Sequence, residues 1–416
     1  MRRGWTSMRA VWWMALAAPL MAWGQKADAG ADANECYVHE VKTLPGSHGF
    51  AADFIEVIAT DPSASAKDRN AIWALNADLH SEIPKQEQAM YISKSADGGE
   101  TWTEVARIDA RYYDSDIDEG LRNGLEVLPG GNEFVLTTQK GAFQVLPQAD
   151  GDPVVRYVNG PRVPHDRAWV SITKKEGDPV RAAAVKVTAD GRRMIVAYGY
   201  FDMDPKLFSY HKARDGEWVE DRELPQIPTD LQIFSLQWDK PGRAGREPRL
   251  GSFPGSLYVG TGDQIYRLDL RTMKWTMVKG VGEDSAIHGI NTVGGLHIAA
   301  CWGIYEPVNA DEVWKVTDDV FVYHRDQDET GSNIRAYGIE VDPSRPSRQV
   351  VTALTGVYLT NDGGQTWRRM IGLPDGEYRT AHFNADGTVI VSGIPGTFLA
   401  NPFSSACGPR LQKREE

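Results

Sequence analysis

Long apolar runs, positive charge and cysteine are all scarce in this chain, and each shortage narrows what it can be. Beyond the first 24 residues, no segment reaches the ~20 consecutive apolar residues that a membrane-spanning helix needs. No long stretch carries the 3.6-residue apolar period of an amphipathic helix, which counts against helical architectures. Lys and Arg number 45 against 57 Asp and Glu, a net charge of −12, which argues against nucleic acid or an anionic membrane as the main partner. Basic or neutral partners, glycans among them, and bound cations remain compatible with that acidity. Cysteine occurs three times, at Cys36, Cys301 and Cys407.

What is abundant points to β-structure. The 416 residues include 41 glycines and 13 tryptophans, and 41% are hydrophobic. That suits one large all-β domain better than two ordinary ones. The first residues read as an export leader: Arg2, Arg3 and Arg9 precede an apolar run at 10–23, and Ala22 and Gly24 are small enough for cleavage before Gln25. Residues 1–24 are therefore expected to be a signal peptide and 25–35 a flexible spacer. The folded domain is expected at 36–407, with a flexible tail at 408–416. Loss of the leader would remove three positive charges and bring the net charge from −12 to −15. A secreted or periplasmic protein follows, with no membrane span once the leader is cleaved.

Two octapeptides stand out, Ser95-Ala96-Asp97-Gly98-Gly99-Glu100-Thr101-Trp102 and Thr360-Asn361-Asp362-Gly363-Gly364-Gln365-Thr366-Trp367. Each follows a short β-like run. Paired glycines can take the positive φ that a tight hairpin turn needs. The aspartate can accept backbone N–H groups of its own turn, and the Ser or Thr two positions earlier offers a second local partner. Trp102 and Trp367 then supply a large apolar surface at the start of the return strand.

A weaker rhythm links the two. An aromatic residue inside a short strand recurs at Tyr91, Phe143, Phe208, Tyr266, Tyr305, Tyr358 and Phe398. Tyr91 to Phe398 is 307 residues in six steps, about 51 per step, near the ~40–50 of a propeller blade. The step from Phe143 to Phe208 is longer, so residues 148–179 are read as an inserted loop. Around the second octapeptide, strands are expected at 337–341, 349–353, 356–360 and 367–370. The first has the same order, with strands at 54–59, 72–77, 90–93 and 103–108.

The octapeptides resemble the Asp-box, or BNR repeat, of β-propeller proteins, as in sialidase-like and sortilin-like propellers. The resemblance rests on Ser95, Asp97, Gly99, Thr101 and Trp102, and on Thr360, Asp362, Gly364, Thr366 and Trp367. It implies a structural corner between the third and fourth strands of a blade, on the outer rim. It further implies an all-β propeller, with seven blades of four antiparallel strands, closed by pairing of N- and C-terminal strands. Residues 37–41 are then the outer strand of the last blade, beside 397–400. Such closure places Cys36 near Cys407, and a disulfide is expected there. Cys301 lies in an apolar run and is read as a buried free thiol.

Ligands of a propeller usually meet the loops on one face. Asp114, Asp116 and Asp118 alternate in one loop and could offer oxygen ligands to calcium, or form a solvated acidic loop; no cofactor is required. His165, Arg167 and Trp169 would suit a polar ligand, Arg for a carboxylate and Trp for a sugar face. Asp202, Asp204, His288 and Arg335 are further ligand-binding candidates at expected strand ends. Sialidases hold their sugar with three arginines, a Tyr–Glu pair and an Asp. Arg122, Arg162, Arg167, Arg335 and Arg379 could supply the arginines, but the Arg-Ile-Pro segment of that family is absent. Catalytic residues are therefore unassigned. The expectation is a monomeric module recognising a glycan, another ligand or an exported protein. The alternative is a glycoside hydrolase of sialidase-like type.

Overall fold

The computed structural model describes residues 36–41, 55–62, 70–78, 89–112, 124–163, 177–200, 203–239, 253, 255–282, 285–316 and 334–407. The expected leader, spacer and tail lie outside them. So do Asp114, Asp116, Asp118, Arg122, His165, Arg167, Trp169 and Asp202.

The strands form seven four-stranded antiparallel sheets. β1 (Val38–Glu40) is the first strand in sequence. Blade 1 follows as β2 (Ile55–Thr60), β3 (Ile72–Asp78), β4 (Ala89–Ser95) and β5 (Thr103–Asp109). Blade 2 is β6 (Gly124–Val127), β7 (Phe134–Thr138), β8 (Gly141–Leu146) and β9 (Val154–Val158). Blade 3 is β10 (Ala182–Val187), β11 (Arg193–Tyr200), β12 (Met203–Lys212) and β13 (Trp218–Glu223). Blade 4 is β14 (Ile233–Trp238), β15 (Ser256–Thr261), β16 (Ile265–Asp269) and β17 (Lys274–Met277). Blade 5 is β18 (Ile287–Asn291), β19 (His297–Ala300), β20 (Gly303–Asn309) and β21 (Glu312–Lys315). Blade 6 is β22 (Ala336–Val341), β23 (Gln349–Ala353), β24 (Gly356–Thr360) and β25 (Arg368–Arg369). Blade 7 takes β26 (Tyr378–Phe383), β27 (Val389–Gly393) and β28 (Gly396–Ala400), then β1 as its outer strand.

The first strands of successive blades are neighbours around a closed ring, from β2 through β26 and back to β2. These inner strands surround a central channel. Seven clusters of buried apolar residues, counted among the described residues, each lie between two adjacent blades. Burial between sheets, rather than within one, therefore holds the ring together. The seven rhythmic aromatics all fall on the third strand of their blade, and none is more than 8% exposed. Segment 148–179 is not wholly an insertion, because it contains β9, the outer strand of blade 2.

Ring closure follows the expected pairing. Val38 faces Ala400, His39 faces Leu399 and Glu40 faces Phe398. Cys36 and Cys407 form a disulfide with a Cα–Cα distance of 4.9 Å. A bridge closing so long a loop contributes about 2–5 kcal/mol by limiting the unfolded chain.

The two Asp-Gly-Gly corners have nearly the same internal hydrogen bonds. In blade 1, Ser95 Oγ donates to Asp97 Oδ1 at 2.7 Å, and Gly99 N donates to Ser95 Oγ at 2.8 Å. Thr101 donates to Asp97 twice, from its amide at 2.9 Å and its hydroxyl at 2.5 Å. Trp102 Nε1 donates to Gly99 O at 3.0 Å. Thr360, Asp362, Gly364, Thr366 and Trp367 repeat these contacts at 2.5–3.2 Å. Burial acts to raise the Asp97 carboxyl, but the bonds from Thr101 and Ser95 outweigh it and leave it below the usual carboxylate range. Each corner also braces two blades. Gly99 has φ 100° and packs so closely on blade 7 that a Cβ there would meet Ile390 at 2.6 Å. Gly364 abuts the buried Glu306 of blade 5 in the same way.

Candidate functional site

The inner strands share an irregularity that the sequence does not announce. In six of the seven, among the described residues, the pairing register slips by one at the second position. The extra residue in each case is Glu56, Ala183, Phe234, His288, Tyr337 or Arg379. A bulge re-aims its side chain and bends the strand. Because the slip recurs at the same level, these residues encircle one mouth of the channel.

On the arc from blade 4 to blade 7 they touch in series. The Phe234 ring meets His288 edge-on at 5.1 Å, His288 meets Tyr337 at 5.6 Å, and the Arg379 guanidinium lies 6.0 Å from the Tyr337 ring centre. Glu377 Oε1 accepts Arg379 Nε at 2.6 Å and fixes that side chain. The β19–β20 hairpin adds Cys301 and Trp302. Cys301 Sγ lies 3.2 Å from His288 Nε2. Trp302 is 36% exposed, unusual for so large a ring.

Arg335 enters the same cluster from the start of blade 6. Its amide donates to Cys301 O at 3.2 Å, and its φ of 40° is one that non-glycine residues rarely adopt. Such backbone strain persists only where neighbouring contacts hold it, and it clusters at functional sites. Burial raises the Cys301 thiol, and the Arg335 charge and the backbone at Ala286 offset only part of that. The expected buried thiol is thus a half-buried one, free but pressed against an imidazole.

Below the mouth the channel narrows. One residue beyond five of the six bulges the side chain is small, at Ala184, Ser235, Gly289, Gly338 and Thr380, whereas Val57 follows Glu56. The strands approach so closely that a Cβ on Gly289 would lie 3.0 Å from Gly338 Cα. Two residues further on, the level turns polar with Lys186, Gln237, Asn291, Glu340 and His382, joined from blade 2 by Glu126. Lys186 Nζ pairs with Glu126 Oε1 at 2.6 Å, and Asn291 Nδ2 donates to Glu340 Oε2 at 3.4 Å. Burial pushes Glu340 up to about 8, against the opposing pull of the Lys186 charge.

Of the residues expected from sequence, His288 and Arg335 come together here around Cys301. Asp204 is exposed on β12 in blade 3, two blades away from His288. His165, Arg167, Trp169 and Asp202 lie outside the described residues, as do the calcium candidates Asp114, Asp116 and Asp118. Among the described residues, no three His, Cys, Asp or Glu side chains gather as metal ligands would. Of the arginines that could serve a sialidase-like triad, Arg335 and Arg379 share the mouth. Arg162 instead stacks on Tyr157 at 4.7 Å in blade 2. Sequence reasoning missed Phe234, Tyr337 and Trp302, which carry no local motif.

Fold and mouth together define a seven-bladed β-propeller whose channel opens onto an aromatic and cationic rim. Two solved structures of similar fold are extracellular domains of hybrid two component systems from B. thetaiotaomicron. They match 88% of this chain at TM-scores of 0.50, with 11% and 12% identity. The match covers 40% and 42% of those chains, so the present chain spans less than half their length. The WD40 β-propeller domain of Doa1 matches 88% of this chain and 97% of its own, at 10% identity and a TM-score of 0.49. No family model and no curated protein matches the chain.

Proposed function

We propose that this chain is an exported recognition module that holds a carbohydrate at the channel mouth between blades 4 and 7. The observation that carries this reading is the run of bulged side chains Phe234, His288, Tyr337 and Arg379 beside the exposed Trp302. Aromatic faces pack on sugar rings, and the imidazole and guanidinium groups of His288 and Arg335 suit hydroxyls or a carboxylate. Export is supported by the Cys36–Cys407 disulfide, which forms and persists in oxidising compartments. The arginine-led apolar leader and the extracellular setting of the two B. thetaiotaomicron domains point the same way.

A glycan array probed with the disulfide-bonded protein tests the reading. Trp302→Ala and Phe234→Ala are each expected to weaken the best-bound glycan about tenfold, or about 1.4 kcal/mol, with the circular dichroism spectrum unchanged. Unaltered affinity in both variants would remove the mouth from consideration. A hydrolytic reading has one observation in its favour: Arg379, Tyr337 and Glu377 are close neighbours at this mouth. Turnover of a fluorogenic glycoside, abolished in Glu377→Gln, would replace recognition by hydrolysis.

A further inference from the structure

A second recess lies away from the channel, between blades 3 and 4. It is an open groove of about 690 Å³, lined among others by Arg193, Asp221, Arg222, Phe253, Asp269 and Arg271. The three arginines differ in their partners. Arg193 Nη1 is held by Asp221 Oδ2 at 3.1 Å, and His211 Nδ1 lies 2.6 Å from the other oxygen of Asp221. No carboxylate among the described residues lies within ion-pair distance of Arg222 or Arg271. The ring of Phe253 is fixed from two sides, by the Arg193 guanidinium at 5.3 Å and by Trp238 at 6.0 Å. The Asp269 carboxylate accepts the Arg271 and Thr272 amides, each at 2.9 Å.

This lining selects a ligand. Two guanidiniums without an ion pair among the described residues, Arg271 being drawn only weakly to Asp269, attract an anion, and their planar forks match a carboxylate. Three arginines against two aspartates leave a single positive excess, which suits one carboxylate in the groove at a time better than a phosphate dianion. The aspartates and Ser209 are acceptors suited to hydroxyl groups. We propose that this groove binds an acidic sugar, with Arg222 and Arg271 taking its carboxylate and the aspartates and Ser209 meeting its hydroxyls. The groove is separate from the mouth, and its occupancy stands whether or not the mouth binds a carbohydrate.

Calorimetric titration of the full chain with a galacturonic acid trimer, and with the neutral galactose trimer, tests the proposal. The acidic trimer is expected to bind, and to bind more weakly as salt rises. Arg222→Gln combined with Arg271→Gln is expected to lower its affinity about tenfold or more. Both arginines should also be protected by the acidic trimer from modification with an arginine-selective glyoxal, a readout independent of the mouth. Absence of binding, equal binding of the neutral trimer, or binding that survives the double substitution without arginine protection would each overturn the proposal.

Discussion

The corner of blade 6 and the channel mouth at the other end of its strands use the same sheet by opposite means. At the corner, Thr360, Asp362, Gly364, Thr366 and Trp367 satisfy one another within eight residues. At the mouth, Phe234, His288, Tyr337 and Arg379 come from four different blades and meet only because each inner strand slips by one residue. The corner is a local device that stabilises. The mouth is a non-local one whose side chains pack on one another across blades. Aromatic and cationic side chains gather where the ring gives up regular pairing, and rigidity arises where it repeats a motif.

This contrast can be broken at several points. The largest effect is expected at Trp367, which is 6% exposed and packs with Ile304, Val351 and Tyr358 in the cluster joining blades 5 and 6. Trp367→Ala should cost about 3–5 kcal/mol in urea denaturation. A loss within experimental error would deny the corner its bracing role.

Next comes Glu340, inside the channel. Its folded pKa near 8 lies above the ordinary carboxyl value of about 4.3, so the folded chain holds that proton more tightly than the unfolded one. The associated stability is complete below about pH 4 and is lost as pH rises towards 8. Glu340→Gln, neutral throughout, should shrink the fall in stability between about pH 4 and about pH 9 by an amount on the order of a few kcal/mol. An unchanged profile would mean that Lys186 compensates the ionised form.

The smallest effect is expected at Asp97. Its carboxyl sits below the ordinary value, so its contribution is present above about pH 4 and fades as pH falls through its folded pKa. Asp97→Asn should cost about 1 kcal/mol near neutrality and progressively less in acid. A constant penalty across pH would point to the turn's shape rather than its charge.

The same division explains what could be seen in the sequence. Asp97 and Asp362 announced their corners because turn chemistry is written in adjacent residues. The blade rhythm showed because a buried aromatic is needed on the third strand of every blade, from Tyr91 to Phe398. Cys36 and Cys407 followed from closure of the ring. Phe234, Tyr337 and Trp302 gave no warning, since a register slip depends on the partner strand and convergence depends on the ring. His288 and Arg335 were named for their chemistry, but their meeting at Cys301 required the fold. The 148–179 segment misled because β9 alternates exposed and half-buried residues and lacks an Asp-Gly-Gly turn before it.

One consequence of the last sheet concerns synthesis. Val38–Glu40 precedes every blade, yet its partner Gly396–Ala400 follows the inner strands of all seven. A growing chain can stack six sheets in turn, but it must carry that early strand unpaired until the third strand of the seventh has been made. The circle then shuts in a single late event. Once it is shut, the first and last strands are held to each other by their pairing and by the Cys36–Cys407 bridge.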